Sequence, residues 1–160
     1  MNDLLKKEPV KRVIEALSKF NKNLKVQILK KTARTAKEAA MALNCKEGAI
    51  VKSLVFRSGE DFLVCLVSGD KKCSLNKVKK LVFQKNVCMA NAEEVKAQTG
   101  FTIGGVSPVG HLKELEILID KNLNRFDKVY AAAGHPNSIF KIDFLMLSNL
   151  TKGRVEDITE

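Results

Sequence analysis

Residues 49–70, AIVKSLVFRSGEDFLVCLVSGD, contain the pattern that decides the fold. Two runs rich in β-branched and aromatic residues, 49–57 and 61–68, flank the polar residues 58–60, whose centre is a glycine. Runs of this kind around a short glycine turn predict a β-hairpin. The second run is apolar on both faces, so we expect Cys65 within it to be a buried core thiol.

The segments on either side of the hairpin alternate between helical and strand patterns. Apolar residues at helical spacing from Val10 to Phe20 predict a first helix whose opposite face carries Lys11, Arg12 and Lys19. Thr35 and Asn91 each precede a glutamate by three positions, which is typical of a capping box at a helix start. Helices are also predicted near 75–82 and 143–149, and further strands near 24–28, 87–90, 115–119, 128–133, 139–142 and 155–158.

Many short strands with interspersed helices, without a regular βαβ alternation, predict an α+β fold with a mixed sheet. The chain has 160 residues, enough for a real core without disulfide staples. No linker or repeat divides it. We therefore expect a single domain over residues 1–160, in which residues 1–30 provide the N-terminal helix and the first strand.

The charge of the chain is uneven. The net charge is +10, but residues 1–85 hold 20 Lys and Arg against 8 Asp and Glu, whereas residues 86–160 hold 8 against 10. Such an asymmetry is expected of a protein that meets a polyanion on one face, although a lysine-rich surface that only aids solubility gives the same count. No apolar run is long enough to span a bilayer and no secretory signal is evident, so a cytoplasmic location is expected.

Lys52 interrupts the apolar run of the first hairpin strand and shares a face with Ile50, Leu54 and Phe56. An ammonium in such a position must be desolvated, reach an edge or meet an anion. The structural alternative is an edge-strand lysine that prevents sheet association.

Two further segments could contact a ligand through backbone. Residues 104–110, GGVSPVG, include glycines that let consecutive N–H groups approach an anion or a developing oxyanion. Residues 131–137, AAAGHPN, run from small side chains into His135, which the following proline holds extended. The structural alternatives are an ordinary long turn for the first segment and a tight strand-end turn with a surface histidine for the second.

The four cysteines and two histidines do not have the spacing of a metal site. Cys45, Cys65, Cys73 and Cys88 contain no C-x-x-C pair, and the histidines are far apart in sequence. We expect no metal and no cofactor.

The motifs in their order resemble the YbaK/EbsC family. They are RTAKEAA at residues 34–40, IVKSLVF at 50–56, GD at 69–70, TGF at 99–101, GGVSPVG at 104–110 and AGHP at 133–136. That family contains free-standing aminoacyl-tRNA deacylases and the editing domain inserted in bacterial prolyl-tRNA synthetases. The resemblance implies a mixed, partly barrel-like sheet with flanking helices, and a metal-free hydrolase that cleaves the ester between a wrong amino acid and the 3′-terminal adenosine of tRNA.

The resemblance also implies roles for individual residues. Lys52 matches the family lysine that holds the phosphate of the terminal adenosine and orients the ester. Gly104, Gly105, Val106, Ser107 and Pro108 match the loop that presents backbone to the ester and limits the aminoacyl pocket. Gly134, His135 and Pro136 match the turn that positions the substrate. Ser53 and Ser74 stand where relatives have asparagine and aspartate, respectively.

Three hypotheses for function follow. The leading one is a trans-editing deacylase of tRNA-Pro carrying a small wrong amino acid such as alanine or cysteine, in which the substrate itself assists hydrolysis and prolyl-tRNA synthetase is a candidate partner. The second is a non-catalytic module of the same fold that binds tRNA or a synthetase. The third, a membrane-surface protein, depends only on the first helix. In the leading hypothesis, the lysines that follow RNA phosphates are Lys71, Lys72, Lys77, Lys79 and Lys80.

Overall fold

The predicted hairpin forms the centre of the sheet in the computed structural model, which describes residues 3–31 and 33–160. Its strands pair antiparallel from Val51 and Ser68 to Ser58 and Asp61, and Gly59 turns the chain with a φ of 64°. In this described part of the chain the eight strands are β1 (Val26–Ile28), β2 (Ile50–Ser58), β3 (Asp61–Ser68), β4 (Val87–Met89), β5 (Glu116–Asp120), β6 (Val129–His135), β7 (Ser138–Ile142) and β8 (Arg154–Glu156).

The sheet is mixed, as predicted, and runs in the order β1-β7-β6-β2-β3-β5-β8. The pairs β2–β6, β3–β5 and β5–β8 are parallel, whereas β1–β7 and β6–β7 are antiparallel. The short strand β4 pairs with the far end of β2, beside the hairpin turn. The sheet curls into a half-barrel within one domain, which confirms the predicted α+β fold class.

The described residues also form six α-helices: α1 (Asp3–Lys6), α2 (Glu8–Phe20), α3 (Ala36–Leu43), α4 (Leu75–Val82), α5 (Ala92–Thr99) and α6 (Phe144–Thr151). On one face, Val51 and Val55 of β2 join a core that includes Leu17 of α2. On the other face, Phe56 packs with Val78 of α4. Alternate residues of β2 therefore serve opposite cores, as the two-residue period of a strand requires.

Polar side chains cap the helices where the sequence indicates. Asn91 and Glu94 form a complete capping box, and α5 ends at Gly100, whose φ is 81°. Thr35 accepts a hydrogen bond from the Glu38 N–H, but the Glu38 carboxylate meets the threonine hydroxyl rather than its backbone N–H, so only half of that box forms. Ser74 accepts from the N–H of Lys77, which makes it the N-cap of α4.

The structure departs from the sequence prediction in two respects. Short 3-10 helices at Glu47–Ala49 and Lys121–Arg125 were not predicted, because segments this short carry no apolar periodicity. Arg12 does not belong to the exposed basic face of the first helix. Its guanidinium instead lies over the ring of Phe101, 4.9 Å from the centroid, with the side chain 19% exposed. Among the described residues, no helix is long and apolar enough to cross a membrane.

Candidate functional site

A gap in strand pairing lies at the centre of the sheet. On one side β2 pairs with β6 at Ile50 and Val51, and it pairs with β4 from Phe56 onward. Within the described residues, no strand pairs with the intervening 52–54 segment on that side. A cavity of about 590 Å³ opens there, a size suited to a small molecule or one nucleoside unit. β2 as a whole has strand partners on both sides, whereas its segment around Lys52 pairs only with β3.

The cavity brings together five of the residues proposed from sequence. Its wall includes Lys52, Ser53, Gly104, Val106 and Pro136. These residues come from β2, from the glycine loop after α5 and from the β6–β7 turn, so the fold joins three segments that are distant in sequence. Five other proposed residues do not line the cavity: Gly105, Ser107, Pro108, Gly134 and His135.

The amine of Lys52 is held at the cavity wall by one hydrogen bond. Its Nζ donates to the carbonyl oxygen of Lys71 across 2.5 Å. Within the described part of the chain, Lys52 forms no ion pair. An ammonium has three N–H donors, so two remain available to an anionic or carbonyl oxygen in the cavity.

The turn that presents the Lys71 carbonyl is itself fixed by polar contacts. The N–H of Lys71 donates to the carbonyl of Ser68. Beside it, Asp70 pairs with Arg125 at 2.8 Å, and the guanidinium bond lowers the pKa of the Asp70 carboxyl. Asp70, which belongs to the family motifs, therefore helps to fix the turn that holds the amine of Lys52.

Two more cations line the cavity and were not proposed as site residues. Arg34 and Lys37 lie at its wall together with Lys52, against a single carboxylate, that of Glu47. An excess of cations over carboxylates favours an anionic ligand such as a phosphate. Arg34 and Lys37 belong to the RTAKEAA motif, and that motif could have pointed to them as site residues. From sequence, however, the motif indicates only a helix cap.

Ser53 places an unused polar group in the same wall. Its Oγ is buried and has no hydrogen-bond partner among the described residues. A buried hydroxyl without a partner is costly, and such a group in a binding cavity is satisfied when a ligand supplies the missing partner.

The rest of the lining is mainly apolar. Ile103, Tyr130 and Ile139 contribute to it, and the side chain of Ile103 is 64% exposed. A cavity with an aromatic ring, aliphatic walls and cations on one side suits a ligand that combines a base with a phosphate.

The glycine loop and the histidine turn are in direct backbone contact. A Cβ built on Gly105 would lie 3.0 Å from the Cα and N atoms of His135, so any other residue would require the loop and the turn to move apart by a few tenths of an ångström. Gly134 has a φ of 95°, and its Cβ would lie 2.8 Å from the carbonyl carbon of Pro9 at the start of α2. Gly105 and Gly134 thus lie outside the cavity but help to shape its wall, because they allow the close packing of the loop and the turn.

Neither histidine is hydrogen-bonded to a serine or cysteine side chain among the described residues. His135 accepts a hydrogen bond at Nδ1 from the N–H of Asn137, and burial together with the charge of Lys7 lowers its pKa. His111 donates from Nε2 to the Ser107 carbonyl, and burial lowers its pKa. The Ser107 hydroxyl is fully buried and accepts from the N–H of Val109. The described residues therefore contain no hydrogen-bonded Ser–His or Cys–His pair of the kind used in covalent catalysis.

The five lysines proposed for RNA contact lie outside the cavity wall. Lys71 contributes its carbonyl to Lys52, and Lys72 is exposed. Lys77 is committed within the protein, since its Nζ binds both oxygens of Asp157 at 3.0 Å. Lys79 and Lys80 lie on the last turn of α4.

Comparison with known proteins identifies the class to which this fold and site belong. Residues 30–149 match the family model described as "Aminoacyl-tRNA editing domain". The chain belongs to this family, which confirms the YbaK/EbsC resemblance noted from its motifs.

Individual relatives agree with this assignment. The "Uncharacterized protein YwhH" of Bacillus subtilis is 31% identical over 147 residues, which cover 91% of this chain and 93% of the relative. The "Putative Cys-tRNA(Pro)/Cys-tRNA(Cys) deacylase EbsC" of Enterococcus faecalis is 25% identical over 126 residues, or 78% of this chain and 77% of the relative. A solved structure described as "Crystal structure of a putative trans-editing enzyme for prolyl tRNA synthetase" superposes with a TM-score of 0.91 at 40% identity, covering 96% of this chain and 98% of that one.

Proposed function

We propose that this protein is a cytoplasmic trans-editing deacylase that hydrolyses mischarged tRNA-Pro carrying a small wrong amino acid such as alanine or cysteine. The observation that carries this proposal is the amine of Lys52, which lies in the cavity wall and has no ion-pair partner among the described residues. Arg34 and Lys37 line the same cavity, so its wall has three cations and a single carboxylate. Such a cavity can hold the terminal adenosine and its phosphate. The relatives' names support the same substrate class.

The reaction is the hydrolysis of an ester. Water adds to the carbonyl carbon, the bond from that carbon to the ribose oxygen breaks, and the amino acid leaves as a carboxylate with release of one proton. The ribose oxygen takes a proton and becomes the free hydroxyl of tRNA. Because an ester is already activated, positioning, a placed water and stabilisation of the oxyanion suffice for the rate.

In this proposal each segment of the cavity has its own role. Lys52 holds the phosphate of the terminal adenosine and orients the ester. Backbone from Gly104 to Val106 faces the carbonyl oxygen, Pro136 and Val106 limit the space for the amino-acid side chain, and Ser53 binds substrate through its hydroxyl. His135 and Gly105 position the loop and turn. The substrate's own hydroxyl or thiol assists the attack, and neither a metal nor a cofactor takes part.

The second candidate, a module that binds tRNA or prolyl-tRNA synthetase without turnover, uses the same cavity. A deacylation assay over a panel of mischarged tRNAs separates the two candidates. We expect hydrolysis well above the spontaneous rate for tRNA-Pro carrying alanine or cysteine, and none for correctly charged prolyl-tRNA. Binding of tRNA without hydrolysis of any mischarged species would establish the second candidate.

Two variants sharpen this assay. Lys52→Ala should lower the deacylation rate by about 100-fold or more, the scale of one lost electrostatic contact to a reacting group. Lys96→Ala is the matched control, since Lys96 is an exposed lysine of α5, on the other face of the sheet, and it should leave the rate unchanged. A wild-type rate for Lys52→Ala on every mischarged tRNA would overturn the assignment of this cavity as the active site.

A further inference from the structure

Phe83 has a conformation and an exposure that packing does not explain. It lies directly after α4 with a φ of 55°, a left-handed conformation that glycine adopts more readily than an aromatic residue. Its side chain is 92% exposed, so it gains little from burial. The fold thus presents a phenyl ring to solvent at a position where glycine would satisfy the backbone better.

The ring is surrounded by positive charge. A shallow surface pocket is formed by Lys79, Lys80, Phe83, Gln84 and Lys85, with no carboxylate among them. The adjoining groove is lined by Lys79 and Lys85 against one acid, Glu60, and by Arg57, which pairs with Glu94 at 3.3 Å. We call the five residues of the shallow pocket the Phe83 patch.

The Phe83 patch is on the same face of the sheet as Lys52. Lys52 and Phe56 are separated by four positions on β2 and so point to the same side, and α4 packs on Phe56. At the far end of β2, Gly59 bonds to Asn86, close to the patch in sequence. The six-residue step from Lys52 to Ser58 spans about 20 Å of strand, so an RNA strand that contacts both sites must extend over at least a comparable distance.

We propose that the Phe83 patch is an RNA contact, in which a base of the bound tRNA stacks on Phe83 while Lys79, Lys80 and Lys85 bind flanking phosphates. An exposed aromatic ring between lysines is the arrangement that binds nucleic acid by combined stacking and charge. A protein partner is less well suited to this patch, because a single ring offers far less apolar area than the roughly 800 Å² that each partner of a stable protein complex buries. The identification of this RNA as tRNA rests on the proposed function. The stacking contact itself does not require that the protein hydrolyse the bound tRNA.

The test compares Phe83→Gly, Phe83→Tyr and wild type in binding an uncharged tRNA-Pro transcript, measured by filter binding. We expect Phe83→Gly to weaken binding about tenfold, within the range observed for one stacked base, and Phe83→Tyr to bind as wild type does. Thermal unfolding of Phe83→Gly should occur at or above the wild-type temperature, because glycine relieves the left-handed backbone. Weaker binding in a protein that is no less stable excludes a folding defect as the cause.

The lysines are tested through the salt dependence of binding. Lys80→Gln should reduce the slope of log affinity against log salt by close to one, and Lys96→Gln on the opposite face should not change it. Unchanged tRNA affinity in Phe83→Gly would overturn the proposal. It would do so even if the variant lost a protein partner or the ability to self-associate, because the patch would then be a protein contact.

The outcomes also separate this inference from the proposed function. A wild-type protein that deacylates mischarged tRNA while Phe83→Gly binds normally would refute the patch and leave the function standing. A wild-type protein that binds tRNA through Phe83 but hydrolyses nothing would refute the function and support the patch.

Discussion

The Nε of Arg12 donates a hydrogen bond to the carbonyl oxygen of Gly110 across 2.9 Å, between residues 98 positions apart in the chain. A second guanidinium nitrogen reaches the carbonyl of Thr99 at 3.2 Å, and the same group lies over the ring of Phe101. One side chain of α2 thus holds both ends of the loop that carries Gly104 into the cavity.

Replacing Arg12 with alanine should lower the free energy of unfolding by about 2 kcal/mol, since hydrogen bonds from a charged group and the packing on Phe101 are both lost. Urea denaturation measures this value, and Lys11→Ala, the exposed neighbour, should cost less than about 0.5 kcal/mol. Equal losses of unfolding free energy in the two variants would contradict the role of Arg12 in holding the two ends of this loop. The deacylation rate should also fall for Arg12→Ala, because the loop loses its anchors.

Gly134 and Gly104 provide a matched pair for the packing of α2 on β6. Both have a positive φ, 95° and 96°, but a Cβ on Gly134 would meet Pro9 at 2.8 Å, whereas one on Gly104 meets only Pro136, at 3.6 Å. Gly104→Ala should therefore cost about 1 kcal/mol of backbone strain, and Gly134→Ala distinctly more. Chemical denaturation of both variants provides the comparison, and a Gly134→Ala variant no less stable than Gly104→Ala would show that α2 moves away at no cost.

Ser53 and Ser138 each have a buried hydroxyl, but the two hydroxyls are in opposite situations. Ser138 Oγ donates to the carbonyl of Ala133, whereas Ser53 Oγ has no partner in the described chain. Ser53→Ala should raise stability slightly, because it removes a buried hydroxyl that has no partner, and it should raise KM for mischarged tRNA about fivefold, the value of one hydrogen bond. Ser138→Ala should instead lower stability by about 1 kcal/mol. If Ser53→Ala leaves KM and kcat at wild-type values, its hydroxyl does not bind substrate.

His111 should make stability depend on pH. Burial holds its pKa below the ordinary value near 6.5, so the folded state resists protonation more than the unfolded state does. The resulting contribution is complete above pH 6.5 and is lost as pH falls through that value toward the lower pKa of the folded state. His111→Gln should flatten this part of the profile more than His135→Gln, since His111 is the more buried ring. Urea unfolding between about pH 5 and 8 tests this prediction, and an unaltered profile for His111→Gln would refute it.

The sequence was sufficient for features that local pattern determines. The β2–β3 hairpin, the cap at Asn91 and the end of α5 at Gly100 each depend on neighbouring residues, and all three are present. Family motifs identified Lys52 and Gly104, which the fold brings to one cavity.

Features that depend on distant segments were not accessible to the same reasoning. The parallel pairing of β2 with β6 joins residues about eighty positions apart, and no local pattern specifies it. Arg12 has the spacing of an exposed residue on the first helix and is drawn inward by carbonyls of another loop. Phe83 resembles an ordinary apolar residue at a helix end, and only its backbone conformation and exposure distinguish it.

The seam between β2 and β6 has a consequence for ligand binding. Only two register pairs, Ile50 with Tyr130 and Val51 with Ala131, connect these strands, and the cavity lies immediately beside them. Separation of β6 and β7 from β2 would therefore abolish the cavity, and it would also expose Val129, Ala131 and Phe140, which are buried in the core that these strands share with β2, β3 and β5. Ligand that binds only the closed form must suppress this opening. Amide hydrogen exchange in β6 and β7 thus becomes a direct measure of occupancy, even for ligands that are never turned over.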